Sequence, residues 1–271
     1  MLSNLPIQDQ FNVSYISGLK KLNSQYGSFN PSAQIPGLIN WYRADSVVLS
    51  GSSVIQLLDK KGSVNLSQQT ISRFPVWNQT DSFMNQNPSI SFLSSSLTSS
   101  VNLPVMSGTT VYLVTRAIVA LSTGRMVSIG NTTDARSLTV TNTAPGFAMP
   151  AGIFANPSNT LTSRRVDLNA NQAFWATNTP GICSISFDST SLPSSSFITL
   201  AGVNETNTAN NSSNATQNTI LSFPLGLGAD KAGSSLFTQF VFAELMICNQ
   251  AHSKQQMQEV NSYLAWYYGV L

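Results

Sequence analysis

The chain has 271 residues, of which only 9% are charged, and a formal net charge of +2. That length can bury a sizeable core, and one large all-β domain fits it as well as two small ones. Its 13 Lys and Arg residues stand singly or in pairs, which excludes the basic face of a nucleic-acid binder, and no apolar run reaches the length of a membrane helix, so no membrane insertion is expected.

The N-terminus, MLSNLPIQDQF, lacks the basic head and unbroken apolar run of a signal peptide, and the expectation is a soluble, unprocessed chain. In DQFNVSYISGLKKLNSQYG, Phe11, Tyr15, Ile16, Leu19 and Leu22 fall on one face at helical spacing, interrupted by Gly18. A helix this short needs a surface to dock on, either its own domain or a partner chain. The stretch GSFNPSAQIPG reads as a linker through Pro31 and Pro36. Residues 1–36 are therefore read as an N-terminal arm and linker, and residues 37–271 as one domain.

From Gly37 onward, short extended runs alternate with turn residues. Strands are expected at Leu38–Tyr42 and Ser53–Leu58, followed by a turn at Asp59-Lys60-Lys61-Gly62, then at PSISFL, TTVYLVTRAIV and GRMVSIG. Val111, Leu113 and Thr115 alternate with Tyr112, Val114 and Arg116, so this strand carries apolar residues on both faces and belongs inside a sheet covered on both sides. Later strands are SLTVTN, GIFAN, QAFWATN, GICSISFD, SFITLAGVN and LSFPLGLGAD. The tract NETNTANNSSNATQN has nothing to bury and reads as an exposed loop. Cys183 and Cys248 lie in apolar runs and read as buried free thiols.

The chain closes with a strand at Phe240–Cys248 and then a helix. Ser253 and Gln256 stand in capping-box spacing, Met257, Val260, Leu264 and Tyr267 form one apolar stripe, and Gly269 supplies a left-handed stop. About a dozen short strands with almost no helix before the end indicate a β-sandwich or jelly roll of two antiparallel sheets.

The opening GLINWYRADSVVLSGSSVIQLLDKKGSVNLSQQ, with Trp41, Ala44, Asp45, Asp59, Lys60 and Gly62, resembles the start of laminin-G-like, concanavalin A-like lectin/glucanase domains found in phage and environmental proteins. The tail AELMICNQAHSKQQMQEVNSYLAWYYGVL is similar to that family's closing strand and helix, and PSISFL, VYLVTR and ITLAGVN supply matching core strands. The resemblance covers roughly residues 37–271 and implies a concanavalin A-like jelly-roll sandwich with a short C-terminal helix. It departs at Val241-Phe242, where the family often has glycine-aspartate, and at Ser94–Ser96, which replace paired aspartates, so calcium is not carried over.

Glycan hydrolysis needs two carboxylates about 5–10 Å apart. The only glutamates are Glu205, Glu244 and Glu259, no E-x-D-x-E strand occurs, and the lone histidine, His252, reads as a helix-entry residue at a surface corner. Asp45, Asp59 and Asp188 read as turn residues, and phosphate loops, zinc spacings and dinucleotide glycines are missing. The expectation is no enzyme, no metal and no cofactor. Trp77 and Trp175, in loop-like surroundings, are the aromatic candidates for a sugar-binding face, with Asp188 and Asn204 beside them; Trp266 and the Tyr267-Tyr268 pair could also stack on sugars, with Trp41 and Trp266 read as core. The family resemblance implies a virion surface protein, a head decoration or tail fibre, homo-oligomeric and held to other virion proteins by its arm while its lectin-like sandwich meets glycans. The rival reading is a glycan-binding or glycan-hydrolysing module of a cellular protein.

Overall fold

In the computed structural model, the residues described are 27–118, 124–130, 137–141, 151–154, 165–169, 180–187, 197–200, 203–204, 208–210, 222–230, 233 and 237–270. The amphipathic segment upstream of Gly27 and the expected strand QAFWATN lie outside them. The strands, in chain order, are β1 (Leu38–Ser50), β2 (Ser53–Asp59), β3 (Leu66–Ser67), β4 (Val76–Asn78), β5 (Ser89–Leu93), β6 (Leu97–Asn102), β7 (Thr109–Ala117), β8 (Arg125–Ile129), β9 (Ser137–Thr141), β10 (Ala151–Phe154), β11 (Arg165–Asn169), β12 (Pro180–Phe187), β13 (Phe197–Leu200), β14 (Val203–Asn204), β15 (Thr208–Asn210), β16 (Pro224–Leu227) and β17 (Gln239–Cys248); the helices are α1 (Pro31–Gln34) and α2 (Lys254–Tyr268).

The fold is all-β with a closing helix, and β17 is its axis. One edge of β17 pairs along its length with β7, and the other takes β5 against its first half and β1 against its second. Beyond β7 come β12 and β13. A second layer runs β6, β16, β8, β9, β10, β11, β15, all antiparallel. The expected pair of separate sheets is corrected here: β2 pairs with β1, and β3 bridges β2 to β6, so hydrogen bonding passes unbroken from one layer to the other and the sheet closes on itself like a barrel. Two-residue β3 makes that corner at the expense of only two ladder positions. The polar tract expected as loop also contributes β15, whose Thr208–Asn210 backbone pairs with β11.

Two apolar clusters follow from this arrangement. The larger lies between the layers and gathers Tyr42, Leu57, Phe92, Val111, Leu113, Val127, Leu227, Phe240, Phe242, Leu245 and Ile247. The other lies under α2 and gathers Trp41, Tyr112, Val114, Ile182, Val241, Met246, Met257, Val260, Leu264 and Tyr268. The alternation read in β7 is thus realised, with Val111 and Leu113 on one side and Tyr112 and Val114 on the other. Along β17 the alternation changes phase: Phe240 and Phe242 face the larger cluster, and so do Leu245 and Ile247. Ala243 absorbs the extra residue, for Phe242 stands opposite Thr115 while Glu244 stands opposite Val114. This bulge turns Glu244 toward the helix.

Helix α2 starts on the reciprocal Ser253–Gln256 capping box and stops at Gly269, whose φ of 65° is left-handed. His252 is not a surface corner residue: it is 1% exposed. Its Nε2–H donates to the Pro36 carbonyl at 2.9 Å, which leaves Nδ1 to accept from the Tyr112 hydroxyl at 2.6 Å. The imidazole therefore ties the entry of β1 to the start of α2, and burial lowers its pKa. Cys183 and Cys248 are buried free thiols, each pushed up to about 12 by burial.

Candidate functional site

Three residues at strand spacing on β1, Trp41, Arg43 and Asp45, meet the bulged Glu244 of β17 and the last turn of α2. Arg43 is the cross-strand partner of Glu244. Glu244 is 1% exposed. Its Oε1 accepts from Trp41 Nε1 at 2.6 Å and its Oε2 accepts from the Tyr268 hydroxyl at 2.7 Å. Arg43 Nη2 donates to Asp45 and, at 2.7 Å, to the Tyr267 hydroxyl. The guanidinium sits 4.8 Å from the centre of the Tyr267 ring and 5.8 Å from that of Trp41. Lys60 Nζ lies 3.4 Å from the other oxygen of Asp45 and 5.4 Å from the Trp41 ring. The turn after β2 sets this geometry, because the Asp59 carboxylate accepts from the Trp41 and Lys61 backbone N–H groups and from Asn40 Nδ2.

Between these elements and the segment at Phe29 lies a pocket of about 210 Å³, lined by Phe29, Trp41, Arg43, Tyr263, Trp266 and Tyr267 among others. Phe29 stacks on Tyr263 with centroids 4.4 Å apart. The stretch read as a linker is seated here: Ile35 is buried and Lys61 Nζ donates to the Ser32 carbonyl at 2.7 Å.

Burial pushes the Glu244 carboxyl up to about 7, against the charge of Arg43 and the hydrogen bonds from Tyr268 and Trp41, which pull it down. Burial works against the Arg43 charge, but Glu244, Tyr268 and Asp45 around it hold the guanidinium protonated. The sign of the resulting pH dependence is fixed. A carboxyl at about 7 in the folded chain, against an ordinary 4.5, binds its proton more tightly when folded; its contribution to stability is full below 4.5 and is lost as pH rises through about 7. Over that window the loss is about 3 kcal/mol. His252, lowered by burial, works the other way and loses its contribution as pH falls. Comparing wild type with Glu244→Gln cancels the histidine: the stability difference between them, from denaturant midpoints, should shift by about 3 kcal/mol against the wild type between pH 5 and pH 8. A difference that stays flat would mean that Glu244 is ionised throughout.

The residues singled out from the sequence fall elsewhere. Trp77 is in strand β4, not a loop; it packs against the larger core with its indole N–H donating to the Ala44 carbonyl at 2.7 Å. Asn204 lies in β14, its backbone opposite Thr199. Trp175 and Asp188 lie outside the described residues. Trp266 and Tyr267, named among the aromatics able to stack on sugars, do line the pocket. Asp45 is not a turn residue but part of β1, paired with Arg43 and Lys60. Arg43 was missed, and the two-residue step Trp41-Arg43-Asp45 was the signal that could have found it. Among the described residues no cluster of three or more His, Cys, Asp or Glu could hold a metal ion.

No family model matches the chain, and no curated protein matches it. Among solved structures it is similar to domain 4 of an extracellular GH43 arabinanase from Geobacillus stearothermophilus, in complex with arabinotriose, with a TM-score of 0.52 at 12% identity over 84% of this chain and 100% of that domain. It is also similar to the sialidase of Trypanosoma rangeli in complex with 2,3-difluorosialic acid, with a TM-score of 0.53 at 10% identity over 94% of this chain and 39% of that one. An arabinofuranosidase complexed with arabinofuranosyl-alpha-1,2-xylobiose gives a TM-score of 0.53 at 10% identity over 88% of this chain and 60% of that one. The chain spans less than two thirds of the latter two enzymes, and at these identities the likeness is one of fold. None of these three is a virion protein. The expectation of no enzyme is corrected by them: each is a glycoside hydrolase or a domain of one, so the lack of a local carboxylate motif does not set this chain apart from carbohydrate-active proteins.

Proposed function

We propose that the chain is a glycan-directed module of a carbohydrate-active protein, a concanavalin A-like sandwich that takes a sugar ring in the pocket between β1 and α2. The observation that carries this reading is the pocket itself. Its lining combines aromatic side chains, Trp41, Tyr263, Trp266 and Tyr267, with the charged Arg43 and the polar Asn30, the mixture of apolar wall and hydrogen-bonding group that sugar sites use. At about 210 Å³ the space equals about seven water molecules of liquid, room for one ring rather than a long oligosaccharide. The fold shared with an arabinanase domain in complex with arabinotriose supports the same class of ligand. In this reading the segment upstream of Gly27 is a tether to a partner chain.

Binding and hydrolysis are both open to such a module. Asp45 and Glu244 flank Arg43 and are the carboxylates a hydrolytic version would use, although Glu244 would first have to release Trp41 or Tyr268 to reach a sugar. Calorimetric titration with arabinotriose, sialyllactose and oligogalacturonate, with chromatography of the same mixtures for products, tests the reading. Trp266→Ala is expected to weaken binding of the preferred sugar about tenfold while the unfolding midpoint shows the fold retained. No binding and no product with any of these sugars, or an affinity indifferent to Trp266, would remove the pocket from the function.

A further inference from the structure

Residues 27–37 lie across the body ahead of β1 and form one side of the pocket, through Gly27, Phe29, Asn30 and Pro31. Phe29 stacks on Tyr263 of α2, and Pro31 and Ile35 are buried. Donors from the body hold the carbonyls of this stretch: Lys61 Nζ at Ser32 (2.7 Å), His252 Nε2 at Pro36 (2.9 Å) and the Asn249 backbone N–H at Gly37 (2.9 Å). Of these the imidazole is the donor type that changes its charge near neutral pH. A stretch held by a few hydrogen bonds and little apolar burial can open while the rest of a domain stays folded.

His252 cannot follow such a movement. Its backbone N–H donates to Thr110 Oγ1 of β7 at 2.8 Å and to Ser186 Oγ of β12 at 2.9 Å, and its carbonyl accepts from Ser186 Oγ at 2.9 Å. Pro36 is exposed, so when its carbonyl leaves, Nε2 meets water.

The surroundings of the ring disfavour a second proton while residues 27–37 are seated. That proton would go to Nδ1, where the Tyr112 hydroxyl already donates; the hydroxyl would have to turn away and leave its own proton without this acceptor. The ring also stands just ahead of the Ser253 N-cap, at the positive end of α2, a poor place for an imidazolium. The titratable groups around it do not offset the charge. Tyr112 from β7 and Cys248 from β17 are kept neutral by burial, Lys254 and Glu259 of α2 are exposed, with Glu259 acting on Tyr112, and residues 27–37 contain no titratable side chain. Burial accordingly lowers the His252 pKa, and the Pro36 carbonyl opposes it less strongly.

We propose that residues 27–37 are a strap latched by His252, and that protonation of the imidazole lets the strap lift and takes one wall from the pocket. The sign follows from linkage. The ring binds a proton more tightly once the strap is off, so acid favours the open form, and the closed form is strongest above the ordinary histidine value of 6.5.

Hydrogen exchange of the whole chain at pH 8 and pH 5, corrected for the intrinsic rates, tests this without any ligand. The amides to follow are Ile35, bonded to the Pro31 carbonyl, and Asn249, bonded to that of Gly37, with Leu245 inside the sheet as reference. Both strap amides are expected to be less protected than Leu245 at either pH, and to lose about tenfold in protection on going to pH 5. The ceiling is about 30-fold, set by a ring of value 6.5 freed at pH 5. In His252→Gln, which keeps a donor for Pro36 but does not titrate, the strap protection should be the same at both pH values. The comparison within the wild-type chain stands even if that variant fails to fold. Strap amides exchanging at the rate of Leu245 would show that residues 27–37 open only with the whole domain. Strap protection indifferent to pH, or falling as far in His252→Gln, would show that His252 is not the latch; each of these results overturns the proposal and leaves the glycan-directed reading untouched.

Discussion

Deleting residues 253–271 is expected to leave a chain that aggregates or melts without a cooperative transition. Met257, Val260, Leu264 and Tyr268 are buried against the sheet, and each such side chain contributes about 1.5–3 kcal/mol by leaving water. Their sum approaches the whole stability of an ordinary domain, about 5–15 kcal/mol. The deletion also bares the apolar face that β7, β12 and β17 turn toward the helix, with Tyr112, Val114, Ile182, Val241 and Met246. Glu244 would lose the Tyr268 hydroxyl as well. Soluble yield and denaturant unfolding measure the effect. A truncated chain that stays soluble with the parent midpoint would show that the cluster under α2 contributes nothing to the fold.

What could be read from the sequence was whatever depends on neighbours in the chain. The capping box at Ser253 and Gln256, the stop at Gly269 and the double-faced pattern of β7 are local, and all three appear as expected. The thiols of Cys183 and Cys248 were legible for the same reason, since their apolar runs are strands. Features that depend on register or on distant partners were hidden. His252 looks like a surface residue until Pro36 and Tyr112 are brought to its two nitrogens. Trp77 looks like a loop residue until Ser53 of β2 pairs with Val76 and Ala44 offers its carbonyl. The short strands β3 and β15 carry too little apolar pattern to announce themselves; their pairing partners define them.

The candidate site was hidden most deeply. A scan for paired carboxylates looks along one strand, whereas Asp45 and Glu244 come from opposite ends of the chain and converge on Arg43 through the pairing of β1 with β17. A scan along one strand therefore does not see them together.

Deleting Ala243 is expected to leave the fold standing, because it removes only the extra residue of the bulge. Phe240, Phe242, Leu245 and Ile247 then stand two residues apart on the face of the larger cluster, Glu244 takes the place of Ala243 on the helix side, and Phe242 opposite Thr115 with Glu244 opposite Val114 becomes a regular ladder. Deleting Tyr112 from β7 is the contrast. That strand alternates without a bulge and is paired on both edges, by β12 and β17, so the missing residue has nowhere to be absorbed. Either Val111 or Leu113 must then leave the larger cluster, forfeiting about 1.5–3 kcal/mol, and the Tyr112 ring and its contact with His252 are lost as well. The cost reaches about 5 kcal/mol or more, comparable to the stability of the domain. Circular dichroism and denaturant unfolding of the two deletions side by side decide the matter. Loss of the cooperative transition on deleting Ala243 would show that the bulge itself is needed, and a Tyr112 deletion that unfolds near the wild-type midpoint would show that the alternation in β7 does not hold the core.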